Sequence, residues 1–132
     1  MAVNPAAFND ITGSILNAAI EVHRNIGPGL LESAYIQPLL IELKARNLRL
    51  STQRRVPLVY KGVPLDVVYR VDLIVDEVVI VEVKSVATML PVYQAQLLTY
   101  LRLARCPVGL LINFNVSKLV DGVKRVLNPL HE

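Results

Sequence analysis

The chain has 132 residues, 53% of them hydrophobic, and a formal net charge of +3. That length suffices for one core and is too short for two ordinary domains, so residues 1–132 are expected to form a single domain. No apolar run reaches the ~20 residues a membrane-spanning helix needs. Met1–Pro5 lacks the basic and apolar regions of a signal peptide, and a lone cysteine, Cys106, excludes an intrachain disulfide. A cytoplasmic protein without membrane association is therefore expected, with Cys106 beside Pro107 a small core or boundary residue, not a nucleophile.

Helical spacing of Ile11, Ile15, Ala19 and Val22 predicts a first helix, capped by Asn9 or Asp10 and running toward His23. Gly27-Pro28-Gly29 ends it. A second helix is predicted from about Leu30 to Arg46, with Leu31, Tyr35, Leu39 and Leu43 along one side, a kink from Pro38 and a stop at Asn47. Extended segments follow at about 50–60, 65–75 and 79–85, the first two joined by a turn at Lys61-Gly62. Pro91 opens a third helix through about Ala104, and an apolar strand covers Val108 to Phe114. From these elements alone the fold class is α/β or α+β. Arg46, Arg49, Arg54 and Arg55 cluster where the second helix gives way to the first strand, a basic edge able to meet phosphates or simply to face solvent.

The most informative stretch is Tyr69-Arg70-Val71-Asp72-Leu73-Ile74-Val75 followed by Val79-Ile80-Val81-Glu82-Val83-Lys84, where charges interrupt two apolar strands. Asp, Glu and Lys are seldom buried unpaired, so they call for solvent on that face or for a bound ion. In a hairpin closed by Asp76-Glu77-Val78, residue 75 pairs with 79 and Asp72 falls opposite Glu82. Arg70 then shares the face of Asp72 and sits opposite Lys84. Val71, Leu73 and Val75 meet Val83, Val81 and Val79 in one continuous apolar face. Two adjacent carboxylates repel unless a cation or a shared proton lies between them, and oxygen ligands of this kind suit Mg²⁺ or Mn²⁺. Lys84 reaches the same place. A plain cross-strand ladder of salt bridges on a solvated face is the alternative from spacing alone.

Asp72, a gap, then Glu82-Val83-Lys84 resembles the PD-(D/E)XK nuclease superfamily. Upstream, Gly29-Leu30-Leu31-Glu32-Ser33-Ala34-Tyr35 resembles the signature of the small GxxExxY proteins of that superfamily. Downstream, Gln96-Leu97-Leu98-Thr99-Tyr100 is similar to the QxxxY motif of RecB-like and Cas4-like nucleases, and Gly109 to Phe114 fits the closing strand. The resemblance implies a restriction-endonuclease-like αβββαβ core, a mixed sheet flanked by helices. It implies that Asp72, Glu82 and the backbone carbonyl of Val83 bind Mg²⁺ or Mn²⁺ with Glu32 as a third acid, that Tyr35 supports Glu32, and that Lys84 assists catalysis. Gln96 and Tyr100 complete the pocket. The chain departs from the pattern at Tyr93, where GxxExxY proteins often carry a His. His23 is an additional metal ligand by the RecB resemblance, or a boundary residue making one hydrogen bond.

The reading that follows is a metal-dependent nuclease acting on phosphodiester bonds, with DNA favoured over RNA. Asp72, Glu82, Lys84, Glu32, Gln96 and Tyr100 form its site, and Arg46, Arg49, Arg54, Arg55 and Arg70 contact nucleic acid. So small a chain has little surface for gripping duplex, so a homodimer or a larger protein partner is expected. The alternatives are a catalytically inactive module of the same fold that binds nucleic acid or a protein, and an enzyme acting on a nucleotide or another phosphorylated metabolite.

Overall fold

The computed structural model describes residues 8–129, so the Met1–Pro5 stretch lies outside the described residues. The elements are helices α1 (Asn9–Ile26) and α2 (Glu32–Ala45), strands β1 (Leu50–Tyr60), β2 (Val63–Val75) and β3 (Val79–Lys84), helix α3 (Pro91–Ala104), and strands β4 (Val108–Asn113) and β5 (Val123–Leu127). The strands form one mixed sheet in the order β1-β2-β3-β4-β5, antiparallel except for the parallel pair β3/β4. The third helix crosses between those two parallel strands, as a βαβ unit requires. This is an α/β fold with helices on both faces of a five-stranded sheet, consistent with the restriction-endonuclease-like core.

The core has two halves. On one face α1 and α2 bury Ile15, Val22, Tyr35 and Leu39 against Leu73, Val81, Leu110 and Phe114. On the other, α3 buries Leu97 and Leu101 against Ile74, Ile80 and Leu111. Because β3 and β4 are covered on both sides, they read as continuous apolar runs, and the even-numbered residues of β3 face α3. Among the described residues no helix is long and apolar enough to cross a membrane.

Several boundaries differ from expectation. Phe8 occupies the N-cap of α1 with no side-chain cap, and Asn9 and Asp10 lie inside the helix. Asn9 is instead held by Arg125 Nη1, which donates to its Oδ1 at 2.8 Å and ties α1 to β5. The first helix ends at Gly27 (φ 69°), and α2 runs through Pro38 to Ala45, with Arg46 as its C-cap and Asn47 at φ 61° just beyond. A short 3-10 turn at Leu119–Gly122 and strand β5 extend the sheet beyond the expected last strand.

The carboxylate hairpin has the expected register, with Val75 opposite Val79, Ile74 opposite Ile80 and Leu73 opposite Val81. Asp76 (φ 52°) and Glu77 (φ 58°) make the tight turn, and the Val78 N–H donates to the Val75 carbonyl at 3.0 Å. Val78 is then the additional residue that keeps Asp72 level with Glu82.

Beyond Leu73 the expectation fails in one respect. Val71 packs with the α3-side cluster, whereas Leu73 and Val75 pack on the α1 and α2 side. A strand cannot keep strict alternation across that change, and Gln53 on the neighbouring strand, at φ 51°, marks the same irregularity. Two consequences follow. The apolar face is not continuous through Val71, and Arg70 turns away from Asp72 to lie opposite Arg55 of β1, not Lys84.

Candidate active site

The paired ladder of β2 and β3 stops at Leu73 and Val81, and two carboxylates take over where backbone bonds leave off. The Asp72 N–H donates to Glu82 Oε1 at 3.1 Å, and the Val83 N–H donates to Asp72 Oδ2 at 3.1 Å. Each acid thus accepts from a backbone amide of the opposite strand. Within a strand the N–H and C=O of one residue point the same way, so the Val83 carbonyl also faces this gap. Glu82 is 6% exposed in the central strand.

Burial, and next the charge of Asp72, push the Glu82 carboxyl up to about 8, against the opposing pull of the Asp72 N–H and the Lys84 ammonium. At neutral pH the pair therefore holds a proton or a cation. A divalent ion fits this donor set, two carboxylate groups and a carbonyl at an opening between strands, all of them hard oxygen ligands.

Lys84 follows on the same face. Its Nζ lies 4.9 Å from the centre of the Tyr93 ring on α3, a cation–π contact that holds the ammonium near the acids. The residue at the position where the resemblance leads one to look for His thus grips the lysine. After Lys84 the chain is fixed by Asn113, 3% exposed, whose side chain accepts from the Val86 N–H at 3.1 Å and donates to the Val86 carbonyl at 3.0 Å. Phe114 N–H donates to the Lys84 carbonyl at 2.9 Å. Asn113 was legible only as one polar residue in an otherwise apolar strand.

Tyr100 borders the site. Burial, then the charges of Glu82 and Asp72, raise its hydroxyl above the usual tyrosine range, and its ring centre lies 5.7 Å from that of Tyr69. Gln96 is exposed, because its helical position lies roughly 100° from the buried centre at Leu97.

The remaining expectations are revised by contacts. Among the described residues no group of three His, Cys, Asp or Glu side chains is gathered that could hold a metal, and Glu32 is not brought together with Asp72 and Glu82 in this arrangement. Glu32 is the first residue of α2, where a carboxylate complements the unsatisfied N–H groups. The Tyr35 hydroxyl donates to the Gly27 carbonyl at 2.7 Å and accepts from the Leu30 N–H at 3.1 Å, which commits it to the loop between α1 and α2 and not to the acids. His23 Nε2 meets the Val116 carbonyl at 2.7 Å, the boundary role. Burial, and secondarily Glu77, push the Cys106 thiol up to about 11, so it is inert at neutral pH.

Of the arginines, Arg54 is paired with Glu77, with Nη1 donating to Oε2 at 2.7 Å, and Arg46 with Glu42 at 2.8 Å. Arg49 is 3.9 Å from Asp76 and its side chain is largely exposed. Arg55 and Arg70 are exposed, directly opposite each other on β1 and β2. Like charges so placed repel and favour an anion between them.

Two acids and a lysine lie at the open end of a central hairpin, within a mixed sheet flanked by helices, a donor set able to hold a divalent cation with a positive charge beside it. A sequence profile of the PD-(D/E)XK nuclease superfamily matches residues 9–126, and the chain belongs to that superfamily, whose members are generally nucleases that use divalent metals. Comparisons with curated proteins and with solved structures gave no match.

Proposed function

We propose that the protein is a cytoplasmic Mg²⁺- or Mn²⁺-dependent nuclease of the GxxExxY type that hydrolyses phosphodiester bonds in DNA. The observation that carries this reading is the pairing of half-buried Asp72 with buried Glu82, bonded across the hairpin and followed on the same face by Lys84. Asp72, Glu82 and the Val83 carbonyl would hold the metal, which when bound polarises the phosphate and acidifies water. Lys84 stabilises charge developing on the phosphate oxygens, Tyr93 positions Lys84, and Tyr100 offers a hydroxyl at the rim. Hydrolysis forms one P–O bond to water oxygen and breaks the bond to the departing sugar oxygen, which takes up a proton. No covalent protein intermediate is needed. Arg55 and Arg70, which face away from Asp72, and Arg49 are exposed arginines able to meet backbone phosphates beyond the acids.

Cleavage of labelled single-stranded DNA, duplex DNA and RNA tests the reading. Cutting by the native chain is expected with Mg²⁺ or Mn²⁺, with losses of about 100-fold or more in Asp72→Ala and Lys84→Ala and complete loss in chelator. No cutting by folded, metal-loaded protein on any of the three would overturn it. That outcome would favour the second reading, a module that binds without cutting, which has in its support that only two acids meet at the site among the described residues. Such a module would bind DNA equally well in chelator.

The arm formed by the distal parts of β1 and β2 supports self-association. Val59, Tyr60, Val63, Leu65, Val67 and Val68 are 37–61% exposed there, and the pairing of Tyr60 with Val63 puts Tyr60, Val63, Leu65 and Val67 on one face of the ribbon, together on the order of 350 Å², a size that often marks an interaction surface on a monomer. A two-stranded ribbon is also marginal by itself. We expect a homodimer, seen as twice the 14.6 kDa chain mass by light scattering and reduced to monomer by Leu65→Asp with Val67→Asp. A native monomer at micromolar concentration would reject it.

A further inference from the structure

The α3 face of the sheet continues past the acids. Register sets Glu82 beside Leu111 of β4, and Leu111 beside Lys124 of β5. With strands ~4.8 Å apart, Leu111 lies one strand and Lys124 two strands, roughly 10 Å, from the metal-binding carboxylate. Over Leu111 opens a cleft of about 200 Å³, lined by Met89, Leu90, Pro91, Gln94, Leu111 and Lys124. That is smaller than the roughly 300–1,000 Å³ of drug-sized pockets, room for one planar heterocycle and not for a base pair.

We propose that this cleft receives the unpaired base of the nucleotide next to the phosphate held at Asp72 and Glu82. The inference rests on the nuclease reading of those two acids and adds the form of the substrate. The walls are suited to a π-face: the Met89 thioether, Leu90, Pro91 and Leu111 give apolar contact, and sulfur against an aromatic ring is favourable. The polar groups are suited to a base edge. The Gln94 amide offers both donors and an acceptor, and among the described residues it makes no hydrogen bond, while Lys124 has no ion pair there. Gln94 sits on the β4 and β5 edge of α3, and Tyr100 on the opposite edge near Tyr69. The helix therefore lies over the acids with a rim hydroxyl on one side and a base slot on the other. A base enters such a slot only when unstacked and unpaired, so single strands and frayed ends are the preferred substrates over continuous duplex.

Two measurements on the intact chain test this. The first needs no catalysis. In chelator, the methyl NMR signals of Met89 and Leu111 are followed during titration with 2′-deoxyadenosine 5′-monophosphate and, separately, with 2-deoxyribose 5-phosphate. Ring-current shifts with the nucleotide alone are expected, weakened in Gln94→Ala and Lys124→Ala, whose positions are at the rim and do not carry the core. Equal shifts with both ligands, or none with either, overturn the proposal. The second uses single-stranded oligonucleotides with one abasic position moved along the chain. A KM about tenfold higher is expected when that position flanks the cut, the size of one lost stacking contact, and Gln94→Ala should no longer sense it. Cutting that ignores the abasic position in the native chain refutes the slot and leaves the nuclease reading standing. Base-specific shifts without any cutting do the reverse.

Discussion

In metal-free buffer the protein is expected to lose stability as the pH rises from about 5 to about 8, and to regain it when Mg²⁺ or Mn²⁺ is added at the alkaline end. Glu82 drives both effects. Its carboxyl is pushed up to about 8 in the folded chain, by burial and then by Asp72, from 4.5 in the absence of the fold. Between these values the folded state keeps a proton that the unfolded state has lost, so raising the pH favours unfolding. The stabilising contribution is complete below about 4.5 and gone above about 8. Its size is on the order of a few kcal/mol, an upper bound that relaxation around the ionised pair would reduce. Glu82→Gln retains an oxygen to accept from the Asp72 N–H and has no proton to lose. Melting temperatures of that variant should therefore change less with pH in chelator, and exceed those of the native chain at pH 8. Added metal replaces the proton, so it should raise the native melting temperature more at pH 8 than at pH 6 and leave the variant nearly unmoved. A native profile in chelator that parallels Glu82→Gln throughout would show that the two acids are not coupled in this way. Glu77, which its ion pair with Arg54 holds below the usual range, acts in a lower window and is common to both chains.

Which parts of this site can be read from residues alone follows from where local rules govern. Asp72 lies beside Glu82 because β-branched alternation and a three-residue loop fix the register of a tight hairpin, and both are local. The span of α3 is equally local, with Pro91 at its first turn and the apolar spacing of Leu97 and Leu101. Arg70 escaped because an irregularity at Asp72 and Gln53, where Gln53 takes φ 51° while the pairing register stays unbroken, changes the face of Val71 and Arg70, and no residue type there announces it. β5 escaped because Lys124 and Arg125 dilute its pattern at the sheet edge, where burial on one face suffices. Tyr93 and Gln94 acquire their places only when α3 docks across β3 and β4. The cation–π grip on Lys84 is a tertiary contact between segments with no shared periodicity.

Tyr35→Ala is expected to cost about 3–5 kcal/mol of folding stability, the range for deleting a buried aromatic ring, and thereby to separate structure from chemistry within the Gly29-to-Tyr35 motif. The ring is fully buried and stacks on Phe114 with centres 4.4 Å apart and planes 12° from parallel. Its hydroxyl ties Gly27 to Leu30, and the Leu30 carbonyl in turn accepts from the Ser85 hydroxyl, immediately after Lys84. Phe114, under the ring, holds the Lys84 carbonyl through its N–H. The tyrosine therefore supports the lysine from two directions while touching neither acid. Tyr35→Phe keeps the stack and loses only the hydroxyl bonds, at a cost of about 0.5–1.5 kcal/mol because the loop carbonyl and N–H can turn to water. Denaturant midpoints should rank native above Tyr35→Phe and well above Tyr35→Ala. Cutting rates per folded molecule should differ by less than about tenfold between native and Tyr35→Phe, since loss of a catalytic hydroxyl would reach that size or more. A Tyr35→Phe chain with native stability and abolished cutting would instead return Tyr35 to the reacting site. The same comparison made for Tyr93→Leu should give the opposite pattern, a small change in midpoint and a large change in rate, because Tyr93 is half-exposed and its ring serves the ammonium of Lys84.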